Sequence, residues 1–224
     1  SLALGYSSLN SDSALVDVDD QAIQVSAYAS WKRDGWFADG LFGYGSHDLD
    51  LTRSGVISPL TGSTDADAIS AALRGGYLFD IGGVKAGPML GFRHARTRVD
   101  GYAEGGDPAL AILVDRQTLS STTSDLGAEV HVALSDRVDG FAGIAWRHEF
   151  GDEYRTLTTR LAQSPLLPIG TSIQNFEGRD YGVVTGGLSF DVSANMSTTL
   201  AGAATFARES GNNFQIDASL GIRF

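Results

Sequence analysis

Side chains along a β-strand point to alternate faces, and this chain alternates apolar and polar residues almost from end to end. In "QAIQVSAYASW" (21–31), Ile23, Val25, Ala27, Ala29 and Trp31 share one face, with Gln24, Ser26, Tyr28 and Ser30 on the other. The same holds for "ISAALRGGYLFDI" (69–81), "VKAGPMLGFR" (84–93) and "LGAEVHVAL" (126–134). The last strand, "NNFQIDASLGIRF", sets Phe214, Ile216, Ala218, Leu220, Ile222 and Phe224 against Gln215, Asp217, Ser219, Gly221 and Arg223. A period of two sustained over a whole chain leaves little room for helices and specifies an all-β fold.

The alternation predicts about ten strands, near 1–9, 20–33, 35–52, 66–81, 83–99, 118–134, 137–155, 176–191, 198–209 and 212–224. Tight turns fall at "RDG" (33–35), "IGG" (81–83), "SDR" (135–137) and "SANMS" (193–197), and long polar stretches at 10–20, 53–65, 100–117 and 156–175. Long and short connections therefore alternate, until the short last hairpin near "ESGNN". A soluble sandwich has no reason to do this. A transmembrane barrel has: its turns are short on one side of the membrane and its loops long on the other. The expected fold is an antiparallel up-and-down transmembrane β-barrel occupying 1–224. Trp36, Tyr77, Phe79, Phe92, Trp146 and Phe190 fall near expected strand ends, where an aromatic girdle would stand.

Composition narrows the function. The chain carries a formal charge of −11, so clustered cations for nucleic acid are not expected. It has no cysteine, which excludes disulfides, thiolate metal sites and a cysteine nucleophile. Hydrophobic residues make up 42%, as in an ordinary folded chain. There is no apolar run of about 18 residues to form a transmembrane helix.

The polar face carries isolated charges among small residues. Arg74, Lys85, Arg93, Glu129, Arg147, Asp217 and Arg223 are the expected lumen-lining residues. They suit either a hydrophilic passage or pairing across the wall. His131 shares the face of Glu129 and is expected to hydrogen-bond there; His94 lies beside Arg93 and Arg96. "HDLD" (47–50) offers His47, Asp48 and Asp50 as a rim constellation for activating water, if a partner lies within hydrogen-bond reach. "RHEFGDE" offers Arg147, His148, Glu149, Asp152 and Glu153 as a charged rim or a cation site. "GYAEGGDP" (101–108) has glycines but no strand-to-helix context for phosphate. No metal or other cofactor is expected.

Several stretches resemble one family: "WFADGLFGYG" (36–45), "RTRVDGYAEGGD" (96–107), "DRQTLSSTTSDLGAEV" (115–130), "AWRHEFGDEYRTLTTRL" (145–161) and the terminal "SLGIRF". Together they are similar to the C-terminal β-domain of autotransporters, the type V secretion proteins, and most to those with a GDSL-type esterase or lipase passenger. The resemblance implies an outer-membrane translocator that anchors and helps export its own N-terminal passenger, without catalysis in the barrel. It implies outer-membrane lipid, the barrel assembly machinery and the passenger as partners, and no nucleic acid. It also implies that Phe214, Ile216, Leu220, Ile222 and Phe224 form the signal read during membrane assembly. Family domains have twelve strands and a lumenal helix, so the chain is expected to lack its first strands and that helix. No GDSL motif occurs here. The alternatives are a ten-stranded outer-membrane hydrolase or protease with a rim site, and a small porin or adhesin.

Overall fold

The computed structural model describes residues 2–12, 16–176, 178–193, 195–209 and 211–222. Among these there is no helix. The strands are β1 (Leu2–Asp12), β2 (Val16–Arg33), β3 (Trp36–Arg53), β4 (Leu60–Tyr77), β5 (Phe79–Ile81), β6 (Val84–Val99), β7 (Tyr102–Ala103), β8 (Ile112–Val114), β9 (Gln117–Ser135), β10 (Val138–Glu149), β11 (Tyr154–Leu161), β12 (Ser164–Gln174), β13 (Asp180–Ser193), β14 (Met196–Phe206) and β15 (Phe214–Ile222). One antiparallel sheet runs β1-β2-β3-β4-β6-β9-β10-β13-β14-β15, with β5 paired to β6 beside the end of β4. Each strand of this path pairs with the next along the chain, as an up-and-down meander must. Among the described residues no ladder joins β1 to β15, so both edges are open.

The two faces of this sheet are inverted relative to a soluble protein. On β9, Thr123, Asp125 and Glu129 are buried, whereas Leu126, on the opposite face, is 68% exposed. On β3, Asp39 is buried and Phe42 exposed; on β10, Glu149 is buried and Ile144 exposed. Apart from the loop end, where β7 packs against the start of β4, no described strand lies over either face as a second layer. A face buried without a covering layer must be the inside of a curl, its side chains crowding one another. The polar face is therefore concave. The convex face presents Ile23, Val25, Phe42, Ile69, Leu73, Leu90, Leu126, Ile144, Val184, Leu200 and Ile216 outward. A wide exposed apolar belt is what lipid, not water, accepts.

The short turns lie at one end of the sheet. Asp34 (φ 49°) and Gly35 (φ 86°) both adopt positive φ, as the two-residue turn linking right-twisted strands requires. Trp36 packs edge-on against Tyr77 at 5.1 Å, and Tyr77 against Phe79 at 4.8 Å, at this same end. Phe190 joins them there, opposite Val138. Phe92 and Trp146 are different: each lies well inside its strand. Trp146 is eight residues along β10 from Val138. At about 3.3 Å per residue and a tilt near 40°, that step spans about 20 Å, so two aromatic levels frame the apolar belt.

The strands run on past the upper level. β2, β3 and β4 have 18 residues each and β9 has 19; crossing a bilayer takes only about 9–11. This corrects the loops expected at 10–20 and 53–65, most of which are ladder: β1 reaches Asp12, β2 starts at Val16 and β4 starts at Leu60. Above the lipid both faces meet water, so apolar alternation vanishes while backbone pairing continues. Asp17, Asp19, Asp48, Asp50, Asp65 and Asp67 occupy this extension.

The stretches 100–117 and 156–175 are likewise ordered. They supply a second, four-stranded sheet, β12-β11-β8-β7, at the loop end. Asp107 organises it: its buried carboxylate accepts the N–H groups of Val56 (2.9 Å), Ile57 (2.9 Å) and Ala109 (3.0 Å). These backbone donors hold its carboxyl below the usual range. Glu104 takes a two-pronged ion pair from Arg53, both contacts at 2.6 Å. Leu60, Ala111 and Val114 form the small core beneath.

Candidate functional site: a charged belt on the concave face

Strand parity decides which charges meet. Residues paired across a ladder share a face, and the chain of partners Asp39–Arg74–Gly91–Asp125–Arg147–Tyr181 crosses six strands. All six positions lie on the concave face. Arg74 donates to Asp39 Oδ2 from Nε at 2.9 Å and from Nη2 at 2.8 Å. Asp39 also accepts the hydroxyls of Tyr28 (2.9 Å) and Ser30 (2.6 Å) from β2. Arg74 then reaches over β6 to Glu129 Oε2, 3.2 Å from its Nη1. It crosses at Gly91, where an added Cβ would stand 3.7 Å from the Arg74 Cβ and 3.4 Å from that of Asp125.

A second group adjoins the first. Arg147 holds Asp125 through Nε (2.6 Å) and Nη2 (2.9 Å), and Arg93 approaches the same carboxylate at 3.2 Å. His131 Nε2 lies 2.9 Å from Glu129 Oε1. The guanidinium of Arg147 stands over the Tyr181 ring at 5.7 Å, and that of Arg74 over Phe37 at 5.8 Å. Three arginines thus face three carboxylates that are at most 8% exposed. In a low-dielectric wall each charge needs such a partner. The belt lines a cavity of about 280 Å³ whose other walls include Leu41, Met89, Gly143 and Thr185.

Of the residues expected to line a lumen, Arg74, Arg93, Glu129 and Arg147 come together in this belt. Lys85 is on the same face nearer the turns, opposite His131, and is exposed. Asp217 is also on this face, on β15, where it accepts from Gln215 Nε2 at 2.9 Å. Arg223 and Phe224 lie outside the described residues, as does the Ile222 side chain. Phe214, Ile216 and Leu220 project from the convex face, 71%, 64% and 58% exposed. Sequence reading missed Asp39, Asp125 and Tyr181. Asp125 is two residues from Gly127 and four from Glu129, so extending the alternation one step upstream of Leu126 would have found it.

The rim constellation at 47–50 is split by the pleat. His47 is on the concave face, and Asp48 and Asp50 are on the other. The carboxylate beside His47 is Asp20 on β2, 3.1 Å from Nδ1. "RHEFGDE" is divided in the same way. Arg147 belongs to the belt, while His148 Nδ1 meets Asp180 at 2.9 Å. Glu149 is occupied by the Ser121 hydroxyl and by the N–H groups of Thr122 and Gly151, both at 2.8 Å. Among the described residues no three His, Asp or Glu side chains are placed to hold a metal ion. His94 hydrogen-bonds the Thr122 hydroxyl at 2.9 Å.

Comparisons with known proteins agree with this architecture. The family model described as the autotransporter beta-domain matches residues 1–203. An uncharacterized protein in the trpE-trpG intergenic region of Pseudomonas putida is 31% identical over 148 residues, which are 63% of this chain and 25% of that protein. Esterase EstA of Pseudomonas aeruginosa is 29% identical over 152 residues, 63% of this chain and 23% of that protein. The chain spans about a quarter of the length of these curated relatives. Among solved structures, the translocator domain of the autotransporter NalP from Neisseria meningitidis superposes with a TM-score of 0.75 at 17% identity, covering 100% of this chain and 73% of that one.

Proposed function

This chain belongs to the autotransporter β-domain family, and from that premise we propose how it works. It is an outer-membrane translocator domain. Its convex face is its anchor in lipid, and its concave face, with Arg74, Lys85, Arg93, Glu129, Arg147 and Asp217, is the wall of a hydrophilic passage for its own N-terminal passenger. One observation carries this reading: carboxylates are buried on the concave face while large apolar side chains stand exposed on the convex one. Water inside and lipid outside would favour that inversion; a soluble sheet would reverse it.

The open edges of β1 and β15 bear on closure. Backbone groups in a bilayer must be paired, so further strands of the same chain, preceding Leu2, would complete the barrel in the membrane. The belt would serve two purposes at once. Paired charges stiffen the wall, and a wall whose charges are already paired does not grip a passing segment. The wall of β13 to β15 adds small side chains: Thr185, Gly187, Thr199, Ala201, Ala203 and Ser219 share the concave face. Insertion would rely on the barrel assembly machinery, with Phe214, Ile216, Leu220, Ile222 and Phe224 as its signal.

The domain itself is read as non-catalytic, and the passenger as a lipolytic esterase, from the likeness to EstA. A rim hydrolase remains a second reading because of the His47–Asp20 pair. One experiment tests both. The full-length protein is produced in a Gram-negative host, and surface protease digestion and whole-cell ester hydrolysis are measured. The intact protein is expected to display a protease-accessible, hydrolytic passenger. Removing residues 1–224 should trap the passenger in the periplasm, and His47→Ala should leave hydrolysis unchanged. Display without the β-domain would overturn the translocator reading.

A further inference from the structure

Arg74, Arg93 and Arg147 each have a carboxylate; Arg208, just beyond β14, has none among the described residues. Its Nε is shielded from solvent and has no hydrogen-bond partner among them. The guanidinium lies over the Tyr181 ring at 5.4 Å, the same ring that stacks with Arg147 at 5.7 Å. Arg208 follows Ala207, whose φ of 56° is rare for a residue with a side chain and is strain held by its surroundings.

Arg208 borders a cavity of about 310 Å³ whose walls include Thr97, Ser121, Asn175 and Tyr181. The other charges here are already engaged. The Glu149 carboxylate, which also borders the cavity, is engaged by the three donors described above. Arg179 donates to the carbonyls of Glu149 (3.1 Å) and Gly151 (2.8 Å) and stacks on Phe176 at 5.3 Å. What is left is one cation with a donor withdrawn from water, in a cavity lined by hydroxyl and amide groups and by the already engaged Glu149 carboxylate. A planar guanidinium in that position matches a carboxylate, which accepts two parallel hydrogen bonds.

We propose that Arg208 and this cavity form an anion site for an acidic side chain, carried by the segment of the same chain that occupies the passage. The cavity opens on the concave face, since Thr97, Ser121 and Tyr181 all have that parity. Lipid phosphates reach the convex face and not this one. The proposal rests on the translocator reading above, because it needs a segment inside the barrel. The site lies at the loop end, past the charged belt. A segment arriving from the turn end passes the exposed Lys85 and then the paired charges of the belt, and it meets Arg208, whose Nε is withdrawn from water, last, so the site acts as a catch at the outer mouth.

The test uses the full-length protein in the outer membrane, with a photo-activated benzophenone residue at Thr97 in this cavity, or at Ala203 lower on the same face. Mass spectrometry of the Thr97 adduct is expected to identify a peptide from upstream of Ser1 that carries Asp or Glu. Arg208→Gln should reduce that adduct about tenfold, the loss of one charge-assisted contact, and Arg208→Lys should fall between. Heat-modifiable gel mobility should show the barrel folded in both variants. Adducts at Ala203 with none at Thr97, or Thr97 adducts indifferent to Arg208→Gln, would overturn the anion site and leave the translocator reading standing. Absence of upstream adducts at both positions would overturn both.

Discussion

Arg147 grips Asp125 with two hydrogen bonds, from Nε at 2.6 Å and Nη2 at 2.9 Å, across neighbouring strands of the concave wall. The Asp125 carboxylate is 2% exposed, so neither partner can fall back on water. Replacing Asp125 by Asn leaves Arg147 and Arg93 without their shared anion. Removing one member of a buried pair costs about 3 kcal/mol. The temperature at which the folded gel band converts to the unfolded one in detergent should drop accordingly, and an unchanged transition would mean that the belt adds nothing to the wall.

Ile144 and Thr185 sit on adjacent strands with opposite parity, both exposed. Ile144→Arg places a cation in the middle of the convex apolar belt, where the cost is about 2–4 kcal/mol. Thr185→Arg faces the passage and should cost far less. Reconstituting both variants in lipid vesicles and titrating with denaturant measures the difference. Equal losses would contradict the assignment of the two faces.

Asp107 ties residues 56 and 57 to the loop-end sheet, and its backbone donors lower its pKa. A carboxyl that titrates below its unfolded value of about 3.9 contributes fully at neutral pH, and that contribution disappears as acid protonates the folded form. Pepsin cleavage around Val56 and Ile57 should therefore rise as pH falls below about 4, while the gel mobility of the barrel holds. Asp107→Asn should show fast cleavage throughout and lose this pH dependence.

The β11–β12 hairpin is held to the rest chiefly through the short β8 ladder and the Arg160–Asp115 pair. Excising Tyr154–Gln174 and closing the gap with a short polar turn should leave the barrel folded, because the ladders of β10 and β13 do not pass through the hairpin. Protection of the Asp115 N–H, which donates to Thr158 O of the hairpin at 3.0 Å, should fall in hydrogen exchange. Loss of the barrel itself would show that the hairpin nucleates folding.

The loop-end sheet was the least legible part of the fold. "SPLLPIGTSIQ" has two prolines and no clean alternation, so it reads as a loop. It is an edge strand, β12, paired among the described residues with β11 alone, and an edge tolerates missing N–H groups. The expected strand at 137–155 likewise breaks at Glu149, because the chain leaves one sheet there and enters the other. Local pattern carries no record of that transfer.

The sequence by itself determined the strands that meet lipid, their two faces and the tight turns between them. Alternation is a local property: a residue's face follows from its parity, and Asp34-Gly35 and Gly82-Gly83 bend the chain where the apolar alternation pauses. Only the tertiary structure decided which charges pair. Arg74 finds Asp39 35 residues away and Glu129 55 residues away, and those distances reflect ladder register and the gap at Gly91. It also decided that His47 meets Asp20 and not Asp48, and that Arg208 meets no carboxylate among the described residues. Pairing depends on what neighbouring strands bring to the same height, and strand register is a property of the sheet as a whole.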